Sequence, residues 1–97
     1  MQFKLPFKGT QEEGVARIKQ LLEEHKAQIA QKASGVKEEW NDNVLSFAFE
    51  AEGKHIEGTV TVRDGEFDVY AKLPLALRLF EGTIERMIEA EAKKMVL

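Results

Sequence analysis

Residues 36–72, VKEEWNDNVLSFAFEAEGKHIEGTVTVRDGEFDVYAK, decide the fold, because three turn signals inside them set three strand registers that agree with one another. Taken as two-residue loops, Asp42-Asn43, Glu52-Gly53 and Asp64-Gly65 define the pairing. The first sets Trp40 opposite Leu45 and Val36 opposite Phe49. The second sets Leu45 opposite Val60 and Phe49 opposite Ile56. The third sets Val62 opposite Phe67, Val60 opposite Val69 and Gly58 opposite Ala71. Every strand then turns its apolar residues to one face. The other face reads Lys37, Glu39, Ser46, Glu50, Glu57, Thr59, Thr61, Arg63, Asp68, Tyr70 and Lys72, the composition of a solvated sheet surface. A four-stranded antiparallel meander with helices on one side follows.

Two residues sit awkwardly in this pattern. Gly58 lies in a strand interior, where glycine weakens a sheet, and the register places it between Phe47 and Ala71; room for the Phe47 ring or for a close helix explains it. Glu38 points with Val36 and Trp40 toward the apolar side. Either it is a buried carboxylate, or its strand is a sheet edge and the side chain reaches water around it; the edge reading is favoured.

Working outward toward the N-terminus, Phe3, Leu5 and Phe7 alternate with Lys4, Pro6 and Lys8, a short half-buried strand in which Pro6 favours an edge. Thr10 with Glu13 forms a capping box that starts a helix near Gln11. Its apolar stripe is Val15, Ile18, Leu21, Leu22 and Ile29, and Ser34-Gly35 stops it. If strand directions alternate, this first strand pairs antiparallel beside residues 66–73, giving the order 2-3-4-5-1. The parallel alternative, beside residues 36–40, requires a right-handed crossover.

Toward the C-terminus, Leu73, Pro74, Leu75, Ala76, Leu77, Arg78, Leu79 and Phe80 form the densest apolar run in the chain. A helical period follows, with Phe80, Ile84, Ile88, Ala92 and Met95 in one stripe, Met87 beside it, and Gly82 as a weak point that permits close packing or marks a break. Leu73 and Phe80 are expected to be core residues that close the sheet under the second helix. Leu75, Leu77 and Leu79 cannot all face inward, so they form the candidate interaction surface. The expected architecture is one α+β domain over residues 1–97, β-α-β-β-β-β-α, with a mostly antiparallel five-stranded sheet and two helices packed on one face.

Composition narrows the function classes. A 97-residue chain buries about 60 to 65% of its unfolded surface, enough for a core but tight for a large enclosed active site. A net charge of -3 supplies no field to gather phosphates, so nucleic-acid binding is not expected. The absence of Cys removes disulfides, thiolate nucleophiles and Cys-type zinc sites and suits a reducing compartment. No apolar run has the length of a signal-peptide core or of a transmembrane segment, and a cytoplasmic location is expected.

The catalytic inventory is thin. His25 falls close to the first helix stripe and His55 follows the Glu52-Gly53 turn, and neither has a metal-ligand partner three or four residues away. Ser34 and Ser46 are the only serines, and neither has an elbow motif or a basic partner. The paired carboxylates Glu12-Glu13, Glu23-Glu24 and Glu38-Glu39 are adjacent in sequence, so they diverge on a helix or strand. The seven glycines are scattered and make no phosphate-binding loop. The expectation is a protein that is not an enzyme, with no cofactor and no metal.

The order of features is similar to that of a known family. Trp40-Asn41-Asp42 before Val44-Leu45-Ser46-Phe47, Gly58 inside residues 56–62, Phe67-Asp68-Val69, Leu73, Phe80-Glu81-Gly82-Thr83-Ile84-Glu85 and the closing helix through Ile88 resemble the polyhydroxyalkanoic acid system protein family. The resemblance covers nearly the whole chain, and Phe-x-Gly-x-Ile-Glu is its most specific part. It implies a bacterial protein linked to polyhydroxyalkanoate storage granules, and it brings no catalytic residues. Relatives often carry a His just before the first helix, whereas this chain has Lys8-Gly9-Thr10, which puts any role of that His in question here.

Two functions of different class follow. The first is a non-enzymatic accessory or interaction protein whose partner is a polyhydroxyalkanoate granule or a granule-associated protein, contacted through Leu75, Leu77 and Leu79. The second is a small-molecule binder holding an acyl or hydroxyacyl chain in a cavity between sheet and helices, lined by Phe47, Phe49, Val60, Val69 and Ile84. A homodimer through the exposed strand edge or the leucine run is compatible with either.

Overall fold

A computed structural model describes the backbone of residues 1–96 and the side chains of residues 1–86, 89 and 90. The elements are β1 (Gln2–Pro6), α1 (Gln11–Glu24), α2 (Lys26–Lys32), β2 (Ser34–Asn41), β3 (Val44–Ala51), β4 (Lys54–Arg63), β5 (Glu66–Lys72), α3 (Leu75–Arg78) and α4 (Glu81–Val96). The five strands form one sheet in the order β1-β5-β4-β3-β2, with every pairing antiparallel. The fold is the expected α+β arrangement, and β1 takes the place beside β5 rather than the parallel alternative beside β2.

The three turns set the registers as the turn residues require. Trp40 faces Leu45, Leu45 faces Val60, Phe49 faces Ile56, and Val60 faces Val69. At the second turn Glu52 and Gly53 both adopt positive φ, at 52° and 73°, the twist a two-residue hairpin needs. Asn43 extends the first turn across the sheet: its side-chain amide donates to the Val62 carbonyl at 2.9 Å, and its own carbonyl accepts from Val62 N–H at 2.8 Å.

One register differs from expectation. Val36 does not face Phe49, because Ser34 pairs with Glu50 while Lys37 pairs with Ala48, leaving a bulge between them. Gly35 sits there with φ at 60°, a conformation glycine adopts without steric cost. The Ser34-Gly35 pair, which reads as a helix stop, therefore belongs to the start of a strand. Glu38 is exposed on β2, an edge strand, as the edge reading requires.

The core forms where α1 crosses the inner sheet face. Leu5, Phe7, Val62 and Phe67 are buried together, and Phe3, Val15, Ile18, Trp40, Val60 and Val69 pack around them. The Phe7 and Phe67 rings stack with centroids 4.3 Å apart. Gly14 lets α1 approach closely, since a methyl group at its Cα would meet Val62 Cγ1 at 2.6 Å and Phe7 Cζ at 2.7 Å. The entry to α1 is tied down from two sides. Thr10 and Glu13 make the reciprocal capping box, and Asp64 in the β4–β5 turn accepts from Gln11 N–H at 2.7 Å.

The long first helix divides at His25. Its imidazole Nδ1 lies 2.9 Å from the Leu21 carbonyl, which also accepts the His25 backbone N–H at 3.0 Å. A side chain sharing a ladder carbonyl is a recognised cause of helix distortion. The second helical region divides as well, into the single turn of α3 and the longer α4. The predicted stripe members Met87, Ile88, Ala92 and Met95 lie outside the described side chains.

Candidate interaction surface

The chain leaves β5 with Leu73 directed inward, where it is buried. Pro74, with φ at -57° and ψ at 153°, then turns the backbone into α3, and Leu77 N–H donates to the Pro74 carbonyl at 2.9 Å. Proline at this boundary is favoured because its fixed φ suits the entry and its missing N–H has no helical partner to lose. Phe80 N–H then donates to the Leu77 carbonyl at 3.0 Å, and the Phe80 carbonyl accepts from Ile84 N–H at 2.9 Å, which starts α4.

This geometry divides the leucines. Residues four apart share one side of a helical turn, so Leu75 and Leu79 share one side and Leu77 lies on the other, while Leu73 precedes the helix across the extended Pro74. Exposure agrees: Leu75 is 78% and Leu79 90% exposed, whereas Leu77 is half-buried. Phe80 is 55% exposed and is not a core residue. The expectation for Phe80 fails because the helical period is broken between α3 and α4, so its position in the later stripe is not continuous with the sheet. Leu75, Leu79 and Phe80 are thus three large apolar side chains open to solvent within six residues of one another. Gly82 does not serve close packing, since a methyl group there would meet nothing within 4 Å.

In the second set of candidate residues, Phe47, Phe49, Val60 and Val69 lie on the inner sheet face and Ile84 lies on α4. Phe47, Phe49, Val60, Val69 and Ile84 are each half-buried. The Phe47 and Phe49 rings lie side by side with centroids 6.2 Å apart, and Gly58 makes room for Phe47, because a methyl group at its Cα would meet Phe47 Cζ at 2.9 Å. It would also collide with the Tyr70 carbonyl oxygen.

A third feature escaped the sequence. An open groove of about 520 Å³ runs between α1, α2 and β2, lined by Leu22, Ile29, Ala30, Val36 and Trp40 with Lys19, Glu23, Lys26 and Glu38 at its polar positions. Lys19 Nζ lies 5.3 Å from the Trp40 ring centroid, a cation–π contact that links α1 to β2. The stripe of the first helix was the available signal, but the groove is lined from both α1 and α2, on either side of the break at His25, and from β2 beyond the bulge at Gly35.

The polar residues are dispersed. His55 is exposed between Glu50 and Glu57, at 3.9 and 3.4 Å, and Ser34 and Ser46 are exposed. The tightest charged pair is on the outer face, where Arg63 donates to Asp68 at 2.8 Å. That hydrogen bond holds the Asp68 carboxyl below the usual carboxylate range and raises the Arg63 guanidinium above its ordinary value. Among the described residues no group of three His, Asp or Glu side chains converges to hold a metal ion, and no helix is long and apolar enough to cross a membrane.

No curated protein and no solved structure matches this chain. A family model described as polyhydroxyalkanoic acid system protein matches residues 2–96, nearly the full sequence. The chain belongs to the polyhydroxyalkanoic acid system protein family.

Proposed function

We propose that the protein is a non-enzymatic accessory protein of polyhydroxyalkanoate storage, held in the cytoplasm on the granule or its protein coat through Leu75 and Leu79. The exposure of these two leucines on one side of α3 carries this reading. Burying a leucine side chain contributes about 1.5 to 3 kcal/mol, so two leucines with Phe80 beside them supply a useful contact with a polyester surface or an apolar coat protein. Family membership supplies the storage context. The test is co-sedimentation with isolated polyester granules. The native chain should pellet with them, and Leu75→Glu/Leu79→Glu should stay in the supernatant while retaining its circular dichroism spectrum; equal pelleting of both proteins would refute the assignment.

A second reading, binding of an acyl or hydroxyacyl chain, rests on the half-buried Phe47, Phe49, Val60, Val69 and Ile84. It predicts a thermal upshift with hydroxyacyl ligands that Phe49→Ala reduces. No upshift with any chain length would dismiss it.

A further inference from the structure

We infer that β2 is a self-association edge, on which a second copy of this chain adds its own β2 antiparallel about a two-fold axis through Glu38. The two edges of the sheet differ. β1 is five residues long, ends at Pro6 and lies against α4, whereas β2 is eight residues long and residues 34–39 are all exposed.

The hydrogen-bonding phase follows from the turns. The two-residue loop makes Asn41 and Val44 the closing pair of the β2–β3 hairpin, so the backbone groups of odd-numbered Lys37, Glu39 and Asn41 point toward β3. The same alternation across the sheet accounts for Val62 N–H reaching Asn43 and Ala71 N–H reaching Met1. The backbone groups of Glu38 and Trp40 therefore point outward, unpaired, along the open edge.

Charge order then selects one register. Lysine and glutamate on an edge ordinarily repel another strand. Here they alternate in a way that reverses the effect for an antiparallel copy. With the axis at Glu38, Lys37 of each copy faces Glu39 of the other at the close, non-hydrogen-bonded positions on the outer face, and Val36 faces Trp40 on the inner face. Moving the axis to residue 37 sets Lys37 against Lys37, and moving it to residue 39 sets Glu39 against Glu39, both unfavourable. The bulge at Gly35 and the turn at Asp42 bound the pairable segment to these five residues. The axis at Glu38 also sets the two Glu38 carboxylates opposite one another, but this single like pair stands against two Lys37–Glu39 pairs, whereas the registers centred on residue 37 or 39 carry a like pair with no opposite-charge pair to offset it. The open groove along β2 then faces its counterpart across the axis, so Val36 and Trp40 lose water on pairing.

The test is sedimentation velocity on the full chain over a concentration series. Native protein should show a monomer–dimer equilibrium. Lys37→Glu and Glu39→Lys each set like charges opposite one another twice per dimer and should weaken it by about tenfold. The double variant Lys37→Glu/Glu39→Lys restores opposite charges and should recover the native dissociation constant, while Leu79→Glu should leave it unchanged. Both charge positions are exposed, so circular dichroism should confirm the native fold in every variant. A monomer at all concentrations, a dimer indifferent to the charge reversals, or failure of the double variant to recover would each overturn the inference.

Discussion

Gly14 of α1 lies against Val62 of β4 so closely that a methyl group on Gly14 would stand 2.6 Å from Val62 Cγ1. Alanine would favour the helix by about 1 kcal/mol over glycine. Overpacking a core costs about 1 to 3 kcal/mol, and Val62 is fully buried with Phe7 blocking the other side. Packing therefore wins, and Gly14→Ala should lower stability by about 1 to 2 kcal/mol, read as a reduced urea midpoint with an unchanged slope.

Gly58→Ala should be worse. The obstacle there includes the Tyr70 carbonyl and the Ala71 Cα, backbone atoms of the neighbouring strand that cannot rotate away. We expect a loss of about 3 kcal/mol or more, with the β4–β5 amides losing hydrogen-exchange protection first.

Glu52 holds φ at 52° in the β3–β4 turn, a conformation that costs a residue with a Cβ about 1 kcal/mol and that asparagine tolerates better. Glu52→Asn should raise stability by about 0.5 kcal/mol, and the melting temperature by a few degrees. An unchanged or lower melting temperature would contradict this account of the turn.

The leucine run should separate by position. Leu73→Ala removes a buried side chain and should cost about 2 to 4 kcal/mol, whereas Leu79→Ser, at a 90% exposed site, should change stability by less than about 0.5 kcal/mol. Equal effects at both positions would mean that α3 packs its outer side against the fold.

Acid should weaken the sheet through Asp68. Its carboxyl titrates below the ordinary range in the folded protein, chiefly because Arg63 donates a hydrogen bond to it, so the folded state binds this proton less readily than the unfolded chain. The resulting stabilisation is complete above the unfolded value of about 3.9 and declines as pH falls below it, disappearing once the folded carboxyl is also protonated. Denaturant titrations from pH 6 to pH 2 should show Asp68→Asn losing less stability than the native chain over that lower interval.

The sequence by itself determined the strands, the registers next to the three turns and the helix start. Residue chemistry at Asp42-Asn43, Glu52-Gly53 and Asp64-Gly65 sets each turn locally, period-two alternation then admits one register per hairpin, and Thr10 with Glu13 satisfies amides only three residues away. The sheet order followed from continuing that alternation to β1. Other features depended on groups distant in the chain. Whether Phe80 is covered depends on what lies opposite it, and an apolar period names the side that would be buried without supplying a neighbour. Val36 left its expected partner because Gly35 could take up a bulge, and the first helix divided at His25, whose imidazole meets the Leu21 carbonyl. The burial of Leu73 was legible in the sequence, but tertiary structure alone decided which of the next three leucines is partly covered: Leu77 is half-buried while Leu75 and Leu79 face water, because a single turn of helix cannot turn all three to the same side.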